Sequence, residues 1–406
     1  MIDLKAARAD PDGLRRAVAR KGAAGAEAFD ELLAADERWR ELIPQVDELR
    51  GRQKVKGKPT PEQLEGLKQV KEDLQRLEAE LAEAEARRDE LLAKVPNPPH
   101  DSVPDEARDD AEGEVDRTVG EPGTGGDAKD HLELGQFDME RGARLSGSRF
   151  GYIVGDAALV SLALYRFALD RVVAQGFQAV IPPVLVREEA MYGTGFFPAE
   201  RFEIYEIADE GLFLTGTSEV ALAGLHMGEI LEAEELPLRY TAFSTNFRRE
   251  AGAAGRDTRG MFRVHQFNKV EMFCYVRPED SWEEHERLLA IEESLAKELG
   301  LPYRVVNIAA PELSAAAAKR YDLEAWFPSQ QRYRELTSAS NTTDYQSRRL
   351  GIRFRRNAGI EYVHTLNGTA VTDRWTLAVL ENFQEEDGSV TVPPVLVEFG
   401  APPKLG

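Results

Sequence analysis

The chain of 406 residues contains one cysteine, Cys274. This excludes a disulfide framework and leaves no cysteine-rich zinc site. No stretch approaches the ~18 consecutive apolar residues that a membrane-spanning helix requires. The opening MIDLKAARAD has no apolar signal-peptide segment. GxGxxG and P-loop patterns are also absent. Positive charge is scarce: 51 Lys and Arg against 72 Asp and Glu give a net charge of −21. Such a surface argues against nonspecific nucleic-acid binding, so a nucleic-acid partner would need a local basic patch. With 42% hydrophobic and 30% charged residues the composition is that of a globular protein. These features together predict a cytoplasmic protein of two or three domains with no membrane association.

What is present begins with two helical rhythms. Residues 1–20 read as a short helical start. In 32–49, apolar residues recur at Leu32, Ala35, Trp39, Leu42, Val46 and Leu49. In 61–95 they recur at Leu67, Val70, Leu74, Leu77, Leu81, Ala84, Leu91 and Val95, in steps of three and four that only Arg88 interrupts. Two such seams joined by GRQKVKGKPT predict an antiparallel coiled-coil hairpin, kinked at Pro44. A helix of about 34 residues extends roughly 50 Å. The hairpin tip carries Arg50, Arg52, Lys54, Lys56 and Lys58 with no acid among them. A basic end on an acidic rod suits phosphate contacts; a solvated turn is the plainer alternative.

Residues 101–130, rich in Pro, Gly and acid, read as a linker between an N-terminal helical arm, residues 1–100, and a second domain, residues 131–406. In the second domain, helical patterns alternate with short strands rich in Val, Ile, Phe and Tyr. An α+β fold follows, with a mainly antiparallel sheet flanked by helices. The helix ALVSLALYRFALDRVVAQ (158–175) has more apolar positions than one face can bury, and a strand ending in Pro182 and Pro183 follows it. This predicts a two-fold dimer through 157–186.

Residues 247–271, FRREAGAAGRDTRGMFRVHQFNKVE, hold six cations, three glycines and three acids. They read as strand, glycine-rich loop and strand, with the strands near 239–250 and 261–275. Residues two apart share a face of a strand, so Arg263, Phe267 and Glu271 align on one face and Val264, Val270 and Met272 on the other. Arg248 and Glu250 share a face of the first strand. Two arginines, two glutamates and a phenylalanine suit a nucleotide: guanidinium for phosphate, ring for a base, carboxylate for an amine. A solvated polar sheet face is the alternative. EYVHTLNGTAVTDRWTLAVLENFQ (361–384) reads as strand, turn and a helix capped by Asp373. Arg374 then lies at the positive end of the helix dipole, where a bound anion would offset it. In ELTSASNTTD (335–344), Glu335 and Ser338 are hard oxygen donors of the kind that hold Mg2+ beside phosphates, or else part of a capped turn.

The stretch 247–271 resembles motif 2 of the class II aminoacyl-tRNA synthetases, in the form found in bacterial-type seryl-tRNA synthetases. VTDRWTLAVLEN (371–382) resembles motif 3, and GFQAVIPPVLV (176–186) resembles motif 1. The likeness covers nearly the whole chain, including PNPPHDSVP, KDHLELG (129–135), LSGSRF (145–150) and RYRELTSASNTTDYQSRRL (332–350). It implies ATP-dependent ligation of L-serine to tRNA(Ser) through a seryl-adenylate, in a cytoplasmic homodimer that uses ATP and Mg2+ and no zinc. The arm would bind tRNA through Arg50, Arg52, Lys54, Lys56 and Lys58.

Residue by residue, the resemblance implies that Arg248 holds the α-phosphate of ATP and Arg374 the γ-phosphate, with Arg263 completing the catalytic set. Glu250 would read adenine and Phe267 stack on it. Arg249, Leu336 and Thr337 would adjoin the nucleotide, and Glu335 and Ser338 would carry the metal. Serine contacts fall on Thr217, Ser218, Glu219, Arg248, Glu271 and Thr369. Arg249 stands where the family has a small serine, and Asp373 where it has glycine. Two other readings of the scaffold are a ligase that charges a carrier protein and a non-catalytic tRNA-binding paralogue.

Overall fold

The computed structural model describes every residue except 55–59, 109, 124–127, 252–259 and 357–358. The chain folds as two compact units, Met1–Pro98 and Pro99–Gly406.

The first unit is helical: α1 (Leu4–Ala9), α2 (Pro11–Ala19), α3 (Ala23–Arg52) and α4 (Pro61–Lys94). Asp3 and Asp10 cap the two short helices, accepting from Lys5 N at 2.7 Å and Gly13 N at 2.9 Å. The long helices pair along the seam that the sequence spacing marks, burying Phe29, Leu32, Leu42 and Val46 of α3 and Leu74 and Leu91 of α4. Helix α3 continues through Pro44 without interruption. Arg88, which looked like a break in the seam, belongs to it: its guanidinium lies 3.9 Å from the centre of the Trp39 ring and pairs with Asp89 at 2.7 Å. The aliphatic stem thus fills an apolar position while the charge stacks on an aromatic face.

The second unit is built on an eight-stranded sheet. Its strands are β1 (Gly113–Val119), β2 (Gln178–Val180), β3 (Leu238–Phe247), β4 (Gln266–Val276), β5 (Tyr303–Ile308), β6 (Lys319–Phe327), β7 (Arg332–Thr343) and β8 (His364–Thr372). They lie side by side in the order β1, β5, β6, β7, β8, β4, β3, β2. All neighbours are antiparallel except β2 and β3, which are parallel. Five further helices matter here: α5 (His131–Leu134), α6 (Gly155–Ala174), α7 (Glu219–Ala223), α8 (Ser281–Leu299) and α9 (Asp373–Asn382). Val160, Leu164 and Phe167 of α6, Leu288 and Leu295 of α8 and Trp375 of α9 share one core with Val270, Met272 and Cys274 of β4. The helices therefore cover the face carrying the even-numbered residues of β4, which leaves Phe267, Lys269 and Glu271 for the other side.

Two expectations need correction. Residues 101–130 do not behave as a linker throughout. Val103 and Ala111 are buried with Val306 and Ile308, His100 N donates to Ala318 O at 2.8 Å, and β1 adds to the sheet beside β5. An edge strand needs little apolar sequence because only one of its faces is covered, and β1 alternates between covered and open positions. The strands around the glycine-rich loop are also shorter than expected. β3 ends at Phe247 and β4 begins at Gln266.

Candidate active site

A cavity of about 500 Å3 opens over β4, β7 and β8. Its walls come from Gly216, Thr217 and Glu219, from Arg248 and Glu250, from Met261 to Val264, and from the first residues of α9. Because the strands stop short, Arg248, Glu250 and Arg263 reach the cavity from the connecting segments rather than by strand alternation. Arg248 N donates to His265 O at 2.9 Å, which holds the two connectors together. Arg248 Nε donates to Gly216 O at 3.2 Å, and its guanidinium lies 5.3 Å from the centre of the Phe267 ring. Arg263 pairs with Glu250 at 2.5 Å. Arg249 is exposed and lies outside the cavity wall; its N–H donates to Glu203 O at 2.8 Å.

At the start of α9 the N-cap is Thr372, not Asp373. Asp373 turns its carboxyl away from its own helix and accepts from Asn268 N at 3.0 Å and from the Tyr165 hydroxyl. Burial pushes its pKa up to about 7. Arg374 donates through Nη1 to Glu335 O at 2.9 Å and Oε2 at 3.0 Å, and through Nε to Phe262 O at 3.3 Å. Its unfavourable place on the helix dipole is thus already offset within the protein.

Glu335 and Ser338 share the cavity wall through a bulge in β7. Glu335 is opposite Glu324, Thr337 opposite Leu323 and Ser338 opposite Asp322, so Leu336 is an extra residue without a partner across the pair. Glu324 and Asp322 are two apart and share a face; Glu335 and Ser338 therefore do too, although they are three apart. The Glu335 side chain is 46% exposed and lies on the cavity wall. Burial pushes its pKa up, but Arg374 and Arg320 outweigh this and hold it at about 2. Among the described residues, no three His, Cys, Asp or Glu side chains form a metal cage. One ionised carboxylate and one hydroxyl on the same cavity wall nevertheless fit Mg2+, which retains waters and takes phosphate oxygens as ligands where a nucleotide supplies them. Leu336 and Thr337 also border the cavity, but the Thr337 hydroxyl is directed to Glu292 Oε2, 3.0 Å away.

The other end of the cavity is built from acids and hydroxyls. Glu271 is buried and forms an ion pair with Lys269, whose Nζ also donates to Thr217 Oγ1 at 2.6 Å. Thr217 Oγ1 donates to Glu271 Oε2 at 3.3 Å. Burial raises the Glu271 pKa and Lys269 opposes the rise. Glu219 accepts from Gln346 Nε2 at 2.7 Å and Asn367 Nδ2 at 3.0 Å. Burial, reinforced by Glu271, pushes its pKa up to about 7. Thr369 lies on the cavity wall, whereas Ser218 is buried outside it. Sequence reasoning missed Lys269, Asn367 and Gln346. Lys269 could have been found, since it lies midway between Phe267 and Glu271 on the same strand face.

Residues 202–383 match the tRNA synthetase class II core domain (G, H, P, S and T), and residues 1–99 match the seryl-tRNA synthetase N-terminal domain. The chain is 47% identical over 413 residues to a serine–tRNA ligase of Rhodococcus jostii, covering 98% of both chains. It is 48% identical over 413 residues to that of Thermobifida fusca, covering 98% of this chain and 97% of the other. Among solved structures, seryl-tRNA synthetase from Pyrococcus horikoshii complexed with ATP is similar with a TM-score of 0.92 at 39% identity, over 100% of this chain and 99% of that one. Cytoplasmic serine–tRNA ligase from Naegleria fowleri in complex with AMP gives a TM-score of 0.86 at 33% identity, over 98% and 95%. With its helical arm, its antiparallel catalytic sheet and this similarity from end to end, the chain belongs to the seryl-tRNA synthetase family of the class II aminoacyl-tRNA synthetases.

Proposed function

We propose that the chain ligates L-serine to tRNA(Ser) in two steps at this cavity. The serine carboxylate attacks the α-phosphorus of ATP in line, giving seryl-adenylate and pyrophosphate. The terminal hydroxyl of the tRNA then takes the seryl group. The attacking carboxylate is already ionised at neutral pH, so the first step needs no protein base. Catalysis is positioning and charge neutralisation. The observation that carries this reading is the continuity of one cavity. An arginine over an aromatic ring and a second arginine at a helix start lie in the same space as Thr217, Glu219 and Glu271. Arg248, Arg263 and Arg374 bind the phosphates, Phe267 stacks on adenine and Glu250 takes its amine. Glu335 and Ser338 hold Mg2+, which supplies further charge neutralisation when bound. The acids and hydroxyls receive the ammonium and hydroxyl of serine.

The protein acts as a homodimer in the cytoplasm. Opposite its buried stripe, α6 exposes Leu159, Leu162 and Val173, and Ile181 just after β2 is 97% exposed. Apolar surface of this kind on adjoining elements supports an isologous contact with a second copy. The arm's match to the seryl-tRNA synthetase N-terminal domain favours tRNA over a carrier protein as acceptor. At its tip, Arg50 pairs with Glu78 at 2.8 Å and Arg52 with Glu48 at 2.5 Å. These exposed pairs are worth at most about 1 kcal/mol and yield readily to phosphate. Lys54 is exposed. Lys56 and Lys58 lie outside the described residues.

Serine-dependent ATP–pyrophosphate exchange and tRNA charging test the reading when measured on the whole chain and on a variant with residues 30–92 replaced by a short linker. Since Met1–Pro98 is a compact unit of its own, exchange should stay within about threefold, below 1 kcal/mol in barrier, while charging is lost. No serine-dependent exchange in the whole chain would overturn the enzymatic reading. Undiminished charging without the arm would make the arm a structural rod.

A further inference from the structure

The motif KDHLELG contains a histidine that the chemistry above does not use. His131 opens α5, placed there by a capping box: Asp130 accepts from Leu132 N at 2.9 Å and Glu133 N at 3.3 Å, and Glu133 accepts from Asp130 N at 3.3 Å. The ring is 5% exposed. Its Nε2 lies 3.2 Å from Met261 N, and its Nδ1 lies 3.2 Å from Glu381 Oε1. A backbone N–H can only donate, so Nε2 is the acceptor, and the neutral ring carries its proton on Nδ1, directed at Glu381. Glu381 is fixed from its other side by Ser329, whose hydroxyl donates to Oε2 at 2.6 Å. The backbone is shaped to admit the ring. Gly260 has φ +75°, and a Cβ there would stand 2.4 Å from His131 Nε2.

From the structure we infer that His131 is a positioning residue for Arg374. Met261, whose N–H the ring accepts, is followed by Phe262. The carbonyl of Phe262 takes Arg374 Nε, and its ring lies 4.8 Å beneath the Arg374 guanidinium. Arg374 and Glu381 belong to the same helix, α9. The contacts therefore form a closed circuit: helix α9 through Glu381 to His131, on to Met261 and Phe262, and back to α9 at Arg374. The segment Met261–Phe262 directly follows the glycine-rich loop, and the circuit ties that end of the loop to the helix bearing the phosphate-binding arginine. Without an acceptor for the buried Met261 N–H, the segment shifts toward a new partner. Arg374 then loses the carbonyl that sets its orientation and keeps only Glu335.

This inference rests on the reading of the cavity as the adenylate-forming site. Its test compares His131→Phe, which keeps a flat ring but no acceptor, with His131→Gln, whose Oε1 can replace Nε2 as acceptor. Pyrophosphate exchange is measured on the full chain with ATP and serine varied separately, and melting temperatures are recorded. His131→Phe should lower kcat/KM for ATP by about tenfold or more, the scale of one unsatisfied buried donor, with KM for serine unchanged. His131→Gln should recover to within about threefold of the parent. Normal ATP kinetics in His131→Phe would overturn the proposal. So would equal damage in both variants at unchanged melting temperature, because the ring and not its acceptor would then matter. If His131→Phe does not fold, Ser329→Ala loosens the far end of the circuit. It should raise KM for ATP by about two- to threefold, and an unchanged KM would count against the proposal. A parent chain without serine-dependent exchange would instead refute the adenylate reading itself.

Discussion

Glu335 and Ser338 are three residues apart on β7 and face the same cavity, because Leu336 is an extra residue between them. The bulge converts a separation that would divide two donors between opposite faces of a strand into a pair on one face. Ser338→Ala should therefore raise the Mg2+ concentration needed for half-maximal exchange by about tenfold, with little change in stability. Deleting Leu336 removes the extra residue and leaves Ser338 two residues from Glu335 on the same face in regular alternation, so the magnesium dependence should persist. Magnesium titrations of the exchange rate check both. Parent-like magnesium dependence in Ser338→Ala would remove the hydroxyl from the metal site.

Serine binding should depend on pH through Glu219. Its carboxyl, with a pKa pushed up to about 7 by burial and by Glu271, is partly protonated in the empty cavity near neutrality. A ligand ammonium favours the ionised form. Binding should then release a proton near pH 7 and tighten as the pH rises from 6 to 8. Calorimetry in two buffers of different ionisation enthalpy measures the release, and Glu219→Gln should remove it. Proton release persisting in the variant would assign the ammonium to Glu271.

Asp373 predicts a pH-dependent stability. Free aspartate ionises near pH 3.9, whereas burial places this carboxyl at about 7 in the folded chain. The folded state therefore binds the extra proton between these values. Stability from the neutral carboxyl is complete below the lower value and is lost as the pH rises through the upper one. In Asp373→Asn the amide can donate to the Tyr165 oxygen, and its carbonyl can still accept from Asn268 N. The variant should melt a few degrees above the parent at pH 8 and show no advantage near pH 4. Scanning calorimetry at both pH values checks this. Equal melting at pH 8 would mean that the ionised carboxylate is well satisfied where it lies.

Much of this arrangement was legible in the sequence, and the remainder was hidden for identifiable reasons. The seam of α3 and α4 could be read because helical periodicity is a local property. Arg88 was misjudged because its partner, Trp39, lies on the other helix. Phe267 and Glu271 fell on the right face because β4 is regular there. Arg263 reached the same cavity by another route, since strand alternation ends at Gln266. The capping role given to Asp373 failed because its carboxyl finds Tyr165, 208 residues earlier in the chain. Gln346 and Asn367 were missed because their common partner, Glu219, is distant in sequence. The extra residue in β7 leaves no trace in composition and shows only in the register against β6.

The edge strand β1 has a practical consequence for dividing the molecule. Composition alone would place the start of an isolated catalytic domain at residue 131. A truncation there removes β1 and uncovers the backbone edge of β5, whose Val305, Val306 and Ile308 are fully buried in the intact chain. An unpaired, apolar strand edge invites pairing between molecules, so such a fragment is prone to aggregate. A fragment that starts at Pro99 keeps the edge closed by a strand of alternating polar residues, and it follows the boundary at which the chain itself divides.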